Sequence, residues 1–260
     1  MTAGAVTLER WAVTTAAGPP HRQPDHDLDP RAPARTVVAL DDPTATDPGV
    51  TGGKAAALAR ARQAGLPTLP GAVLTTEVSR RHDRGVPVAD LVDADVRAAL
   101  APLGDGPLAV RSSSVVEDAA DSSAAGQFAS VLDVRGDDAL LAAVAEVLGS
   151  RERAQADDQP IAVLVQPMVQ PDLAGVAFGL DPVTGRSDRR VVTAVAGSPE
   201  PLVSGEVDGS RWVLDDHDRV VHHREDGAAL GRRDLRTLTA LLRRVEALFD
   251  GPQDVEWARA

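Results

Sequence analysis

The sequence predicts a mixed α/β protein, and three observations support that prediction. The chain has 260 residues, 43% of them apolar, which is enough to bury a substantial core in one large domain or two joined subdomains. Aromatic residues make up only 2% and tyrosine is absent, so the core must consist mainly of Ala, Val and Leu. Segments with helical apolar spacing are separated by short β-branched runs, and these runs dominate the second half of the chain.

The first half of the chain predicts four strands and several helices. Residues 1–36 include a stretch rich in Pro, Asp and Arg, which predicts a flexible N-terminal tail. A turn-rich loop then leads to a helix from about Lys54 to Ala64, which Gly65 caps in a left-handed conformation and Pro67 ends. The polar stretch at 77–102 predicts further helix. The strands are predicted at 36–40, 71–76, 108–114 and 128–134.

The second half predicts two clear helices and a set of strands. The helices occupy "DDALLAAVAEVLGSRERA" and "RRDLRTLTALLRRVEALFDG", where apolar residues recur at helical spacing. The run "IAVLVQPMV", residues 161–169, is nearly continuously apolar and predicts a strand buried on both faces. Further strands are predicted in "AGVAFGLDPVTG", "RVVTAVAG", "SRWVLDD" and "QDVEWARA".

Composition excludes several classes of protein and site. The chain has no cysteine, which removes disulfides, thiolate metal sites and cysteine nucleophiles. No apolar run is long enough to span a bilayer, and the N-terminus lacks the pattern of a secretory signal, so we expect a cytoplasmic protein with no membrane partner. The net charge of −12 repels nucleic acids, so a phosphate-bearing ligand needs a local basic site.

Lys54 is the only lysine, since the other 26 of the 27 basic Lys and Arg residues are arginines. It follows Gly52 and Gly53 at a predicted helix start, where exposed N–H groups and the helix dipole favour an anion. A glycine-rich turn with one solvated lysine is the alternative interpretation. A compact ammonium fits between phosphate oxygens better than a guanidinium does, so the retention of one lysine favours phosphate binding.

Two further motifs are compatible with phosphate or metal chemistry. Arg111 ends a predicted strand before a Ser/Ala/Gly-rich loop, where it either clamps phosphate oxygens or pairs with Glu117 or Asp118. Asp254 and Glu256 lie two apart on a strand, hence on one face, where they suit Mg²⁺ or are simply solvated. The six histidines lie in polar, turn-like surroundings, and none is assigned to catalysis.

Taken together, these stretches resemble the ATP-binding N-terminal region of the phosphoenolpyruvate synthase, pyruvate phosphate dikinase and rifampicin phosphotransferase family. The resemblance covers residues 37–260 in order. It rests on "GGKAAALARARQAGLPTLPGAVLTT", "LAVRSSSVVEDAADSSAAGQFASVLDV", "IAVLVQPMVQPDLAGVAFGLDPVTG", "PEPLVSGEV" and "GPQDVEW". It implies an ATP-grasp fold with a first subdomain at 37–160, a second at 161–260, and ATP with Mg²⁺ bound between them.

The resemblance also implies roles for individual residues. Lys54 and Arg111 would contact phosphates, and the loop containing Gly126, Gln127 and Ser130 would cover them. Gln166 and Met168 fall on the segment that lines the adenine pocket in the family. Glu200 matches the acidic residue of a "GE-x-x-V-S-G" stretch, and Glu256 matches a nucleotide and metal contact. Asp254 joins Glu256 as a metal ligand only through the strand spacing described above. In the family, the β-phosphoryl group of ATP moves to a histidine on a separate domain.

The chain also departs from the family pattern. It stops at Ala260, before the partner strand that carries Gln and Arg in the family, and it contains neither the phosphohistidine domain nor the acceptor domain. We therefore expect an ATP-binding unit that needs a separate phosphohistidine protein for catalysis. A non-catalytic nucleotide-binding regulatory module is the alternative hypothesis, and a truncated gene product is a third.

Overall fold

The computed structural model describes residues 11–17, 35–114, 129–153 and 159–260. The chain divides into two compact units. Unit A comprises Pro19–Arg60 and Leu69–Met168, and unit B comprises Met1–Gly18, Ala61–Thr68 and Val169–Ala260. Within the described residues, no helix is both long and apolar enough to cross a membrane.

Unit A is built on a five-stranded antiparallel sheet in the order β2-β3-β6-β4-β5. Its strands are β2 Val37–Ala39, β3 Ala72–Leu74, β4 Leu108–Ser113, β5 Ser130–Val134 and β6 Ala162–Pro167. Its helices are α1 Pro48–Gln63, which runs on into unit B, α2 Thr76–Asp83, α3 Val88–Leu91, α4 Ala94–Leu100 and α5 Gly136–Arg153. Short 3-10 turns at Pro43–Thr46 and Ala101–Leu103 precede α1 and follow α4.

One face of the unit A sheet forms the hydrophobic core. Val110 on β4 and Val163 and Val165 on β6 are fully buried in a cluster that also takes apolar side chains from helices α2 to α5. Burial of this much apolar surface is the main stabilising term of the unit. Because side chains alternate along a strand, the residues between these valines lie on the opposite face of the sheet.

Unit B contains a six-stranded antiparallel sheet in the order β1-β11-β7-β8-β9-β10. Its strands are β1 Trp11–Ala17, β7 Leu173–Phe178, β8 Arg189–Ala196, β9 Ser210–Asp215, β10 Val220–Arg224 and β11 Asp254–Arg259. Its helices are the single turn α6 Glu200–Val203 and the long α7 Arg232–Phe249, which packs against β7 and β8. Helix α7 buries Leu238, Leu241, Leu242 and Val245, so its predicted amphipathic pattern is confirmed.

The structure differs from the predicted N-terminal tail at Trp11–Ala17. This segment pairs with β11 from Trp11↔Arg259 to Ala17↔Asp254, and Val13 is completely buried. The prediction depended on the Pro- and Asp-rich composition downstream, whereas residues 11–17 include one Trp, one Val and two Thr, which favour strands. Of the rest of the predicted tail, only Arg35 and Thr36 are described.

The predicted helix start near Lys54 agrees with the structure, because the non-helical Gly52 separates the first turn of α1 from the longer helix that follows it. Two other predicted boundaries differ from the structure. The stretch at 77–102 is three helices because Gly85, Pro87 and Asp93 lie between them. Strand β6, placed by the sequence in a second subdomain starting at 161, hydrogen-bonds to β3 and β4 and belongs to the sheet of unit A. Strand partners far apart in sequence leave no mark in the local pattern.

Candidate functional site

The Gly-Gly-Lys segment lies inside helix α1, where it breaks the helical backbone. Gly52 has φ 74° and ψ 168°, so α1 consists of a short first turn and a longer helix that starts anew after this residue. A Cβ on Gly52 would lie 2.0 Å from the carbonyl oxygen of Ser113. Glycine is therefore required here twice, by the positive φ and by the close approach of strand β4.

Ser113, the last residue of strand β4, and Ser114, which follows it, hydrogen-bond to the start of the longer helix after Gly52. The Ser113 hydroxyl accepts a hydrogen bond from the Ala55 N–H at 3.0 Å, and the Ser114 carbonyl accepts one from the Gly53 N–H at 3.1 Å. Both serines are completely buried. Ser113 thus acts as a helix cap from 58 residues away, and Ser113 and Ser114 together fix the backbone on both sides of Lys54.

The loop before Gly52 is also held by buried hydrogen bonds. The Thr51 hydroxyl, which is completely buried, donates to the Ala45 carbonyl at 2.8 Å. The Thr76 hydroxyl donates to the Gly49 carbonyl at 2.9 Å. Because both sides of the glycine break are anchored, the segment is preorganised, which lowers the entropic cost of binding a ligand there.

Replacing Ser113 by alanine tests this anchoring. We expect the free energy of unfolding to fall by about 1–2 kcal/mol, because the Ala55 N–H loses its cap in a buried position. Chemical denaturation of wild-type and S113A chains measures the change. Ser204→Ala, at an exposed serine, is the control and should alter stability little. An equal effect in both variants would show that the Ser113 cap is not specially stabilising.

Three predicted site residues, Arg111, Ser130 and Gln166, lie with Ser113 on the sheet face opposite the core. Arg111 and Ser113 are two apart on β4, and Arg111 pairs with Ser130 of β5. Gln166 of β6 pairs with Ala109, two residues before Arg111 on the same face. The sheet face that contacts α1 just after Gly52 therefore carries four of these side chains: Arg111, Ser113, Ser130 and Gln166.

The two predicted phosphate-binding cations lie near this anchored segment. Lys54 is half-buried, immediately after the glycine pair, and Arg111 is also half-buried. Within the described part of the chain, Arg111 makes no salt bridge; Glu117 and Asp118, its alternative partners, lie outside the described residues. A half-buried guanidinium beside a hydroxyl, Ser130, is chemically suited to an anionic oxygen.

The predicted adenine-side residues have structural contacts. Gln166 is 2% exposed, and its side-chain amide donates to the Leu69 and Pro70 carbonyls at 3.4 Å. The Met168 N–H donates to the Pro107 carbonyl at 2.8 Å, which fixes the chain where β6 ends. Gln166 thus holds the loop before β3 in place. The predicted covering residues Gly126 and Gln127 lie outside the described residues.

The predicted acidic residues lie in unit B. Asp254 and Glu256 are on one face of β11, while Val255 and Trp257 between and beyond them are buried on the other. Glu200 is the exposed first residue of α6. Among the described residues, no three or more His, Asp or Glu side chains are grouped to hold a metal. The pair on β11 nevertheless suits Mg²⁺, which uses one or two carboxylates and takes its other ligands from water and phosphate.

Desolvation raises the pKa of the Asp254 carboxyl above its usual value of 3.8. A raised carboxyl pKa favours the folded state at low pH, and this contribution is lost as the pH rises from 3.8 through the folded-state pKa. We therefore expect Asp254→Asn to raise the melting temperature at pH 7 by about 1–2 °C, a small gain because solvent screens an exposed carboxylate. The gain should disappear below pH 3.8.

Asp215→Asn is the matched control for this measurement. Hydrogen bonds from the backbone N–H groups of Arg219 and His217 lower the pKa of Asp215, which is the opposite direction. This variant should lower the melting temperature at pH 7, and the loss should shrink as the pH falls through the lowered pKa. Shifts of the same sign in both variants would contradict the assigned causes.

Sequence reasoning missed Ser113 and Thr51 as parts of the site. The signal for Ser113 was the run of three serines at the end of a strand, because strand alternation places it on the face of Arg111. Thr51 precedes the glycine pair directly, but its buried bond to Ala45 is not visible in the sequence.

Comparison with known proteins identifies the family of this chain. The family described as "Pyruvate phosphate dikinase, AMP/ATP-binding domain" matches residues 84–229, more than half of the chain. The prodigiosin synthesizing transferase PigC of Serratia marcescens is 32% identical over 85% of this chain and 31% of its own length. The phosphoenolpyruvate synthase of Aeropyrum pernix is 29% identical over 71% of the chain and 29% of its own length.

A rifampicin phosphotransferase of Streptomyces sp is 35% identical over 66% of this chain and 24% of its own length. The chain thus spans less than a third of each of these three relatives. The predicted resemblance is confirmed, and the described residues form two antiparallel sheets of a mixed α/β fold. The chain belongs to the family of the pyruvate phosphate dikinase AMP/ATP-binding domain.

Proposed function

We propose that this chain binds ATP with Mg²⁺ and presents it for phosphoryl transfer to a histidine on a separate domain or protein. Membership of an AMP/ATP-binding domain family supports the nucleotide. The synthase and phosphotransferase names of the relatives support the reaction class. The chain spans less than a third of those relatives, which supports a histidine on a separate domain or protein.

The observation that carries the proposal is the docked Gly-Gly-Lys segment. Gly52 meets Ser113 at a distance that admits no side chain, and Ser113 caps the helix next to Lys54. The N–H groups of Gly53 and Ala55 already donate to Ser114 and Ser113, and these bonds fix the backbone on both sides of Lys54. The ammonium of Lys54 is thereby held beside the positive end of a helix, an arrangement suited to phosphate oxygens. A chain of net charge −12 needs such a local site, because its overall field repels ATP.

Each residue then has a proposed role. Lys54 and Arg111 neutralise the phosphates, and the loop containing Gly126, Gln127 and Ser130 covers them. Gln166 and Met168 line the adenine side, and Glu200 contacts the nucleotide from its exposed position at the start of α6. In phosphoryl transfer the protein acts mainly by positioning and charge neutralisation, for which these residue types are suited.

The proposed magnesium ligands are Asp254 and Glu256. Bound Mg²⁺ neutralises the charge on phosphate oxygens. A bound cation would also offset the desolvation that raises the pKa of Asp254 and would lower that pKa.

A thermal-shift series tests this function. At about 100 times its dissociation constant, a ligand stabilises the folded state by about 2.7 kcal/mol. For a chain of this size we therefore expect ATP with Mg²⁺ to raise the melting temperature by about 5–10 °C. The double variant Asp254→Asn/Glu256→Gln should lose the effect of Mg²⁺. Glu206→Gln, at an exposed carboxylate, should keep it.

Two results would contradict the proposal. The first is a folded chain whose melting temperature does not change with ATP, with or without Mg²⁺. The second is an equal response of the double variant and Glu206→Gln to Mg²⁺, which would remove Asp254 and Glu256 from the magnesium site.

A further inference from the structure

Unit B contains a basic cavity that takes no part in the proposed function. It lies between the turn that joins β9 to β10 and the first turns of α7, and its volume is about 500 Å³. Its polar lining consists of His217, Asp218, Arg219, Arg232 and Arg236. Volumes of this size are typical of small-molecule sites.

The one carboxylate in the lining is already neutralised. Arg243 binds both oxygens of Asp218, each at 2.8 Å, and this contact raises the pKa of Arg243. His217 lies 3.6 Å from the Asp216 carboxylate, and Asp215 accepts hydrogen bonds from the backbone N–H groups of His217 and Arg219. Within the described residues, Arg232 and Arg236 form no salt bridge, so the cavity keeps an excess of positive charge.

The positions of Arg232 and Arg236 are electrostatically unfavourable in the free protein. They are four residues apart on α7, so their side chains are neighbours on one face and repel each other. Arg232 is also the first residue of the helix, where the dipole disfavours positive charge. Arg219 approaches the same cavity from the β9–β10 turn. A hydrogen bond from the Arg219 N–H and the positive charge of Arg219 both lower the pKa of Asp215, so Arg219 has a carboxylate nearby. Arg232 and Arg236 form no salt bridge within the described residues, and in a chain with 39 acidic residues this pair indicates an external anion.

We infer that this cavity binds a phosphate-bearing small molecule through Arg219, Arg232 and Arg236. Guanidinium groups bind phosphate oxygens in pairs of parallel hydrogen bonds, and three of them match a multiply charged anion. A bound anion would also relieve the repulsion between Arg232 and Arg236. The site consists only of unit B residues, and it does not depend on the proposed ATP site at Lys54.

Calorimetric titration of the full chain with inorganic pyrophosphate tests this inference. The variant Arg232→Gln/Arg236→Gln should weaken pyrophosphate binding at least tenfold, about 1.4 kcal/mol. Glutamine has a helix propensity close to that of arginine, so α7 should remain intact. The control is Arg233→Gln, which removes a charge from an exposed residue of the same turn outside the cavity lining and should change binding less than twofold. Lys54→Ala should retain the pyrophosphate binding that the double variant loses.

A second readout separates binding from general charge effects. Without ligand, the double variant should melt at or above the wild-type temperature, because it removes a repulsive pair, and pyrophosphate should stabilise it less than the wild type. Three results would overturn the inference. The first is that Lys54→Ala abolishes all pyrophosphate binding, and the second is an equal loss of pyrophosphate affinity in the double variant and Arg233→Gln. The third is that the chain binds succinate but not pyrophosphate.

Discussion

Replacing Gly52 by alanine is expected to lower the free energy of unfolding by about 3 kcal/mol and to abolish ATP binding. A residue with a Cβ is strained by about 1–3 kcal/mol at φ 74° and ψ 168°, a combination of angles that is essentially confined to glycine. The added carbon would also lie 2.0 Å from the Ser113 carbonyl oxygen and 2.5 Å from its hydroxyl, so the helix start or strand β4 must move, at a further cost of about 1–3 kcal/mol. The movement would displace the backbone around Lys54.

Gly65→Ala is the matched control for this variant. Gly65 has almost the same backbone angle, φ 72°, but a Cβ there would meet no atom within 4 Å. This variant should therefore cost only about 1–2 kcal/mol and leave ATP affinity unchanged. Denaturant unfolding and ATP titration of both variants measure the difference. Equal losses of stability would mean that the contact between Gly52 and Ser113 is unimportant.

Lys54→Ala is expected to weaken ATP binding by at least about 50-fold without lowering stability. A hydrogen bond to a charged group contributes about 1.5–3 kcal/mol, and the ammonium also neutralises phosphate charge. The side chain is half-buried at a helix start, and alanine has the highest helix propensity, so the fold should be unaffected. Titration calorimetry and thermal denaturation give the two quantities separately.

Two further variants sharpen the test of Lys54. Arg60→Ala removes one positive charge from the same helix, six residues away, and should leave ATP affinity nearly unchanged. Lys54→Arg keeps the charge but enlarges the head group, so it should recover only part of the affinity if a compact cation is required. Unaltered ATP binding by Lys54→Ala would remove this residue from the phosphate site.

The sequence predicted the elements of the fold better than their partners. Apolar spacing identified helix α7, and the run at 161–169 identified strand β6. Those patterns arise within one segment and depend on which face is buried. Pairing of β6 with β3 and β4, and of β1 with β11, joins residues far apart in the chain, so it left no local signal.

The same holds for the candidate site: residues marked by a local pattern were predicted, and contacts between residues distant in the chain were not. The isolated lysine after two glycines pointed to Lys54, and the strand ending before a serine run pointed to Arg111. The bond between Ser113 and Ala55 spans 58 residues, and it appears only in the folded chain. The buried contact of Gln166 with the loop at Leu69 and Pro70 was likewise hidden, because the surrounding apolar run predicts burial but not which backbone groups its amide binds.

Titration of the full 260-residue chain with ATP and Mg²⁺ in a calorimeter tests whether the Gly-Gly-Lys segment binds the phosphates of ATP. We expect saturable binding that includes a component of the ATP affinity removed by Lys54→Ala and retained by Arg232→Gln/Arg236→Gln. Absence of that component from a folded wild-type chain would contradict the assignment of the Gly-Gly-Lys segment as the phosphate site of an ATP-binding unit.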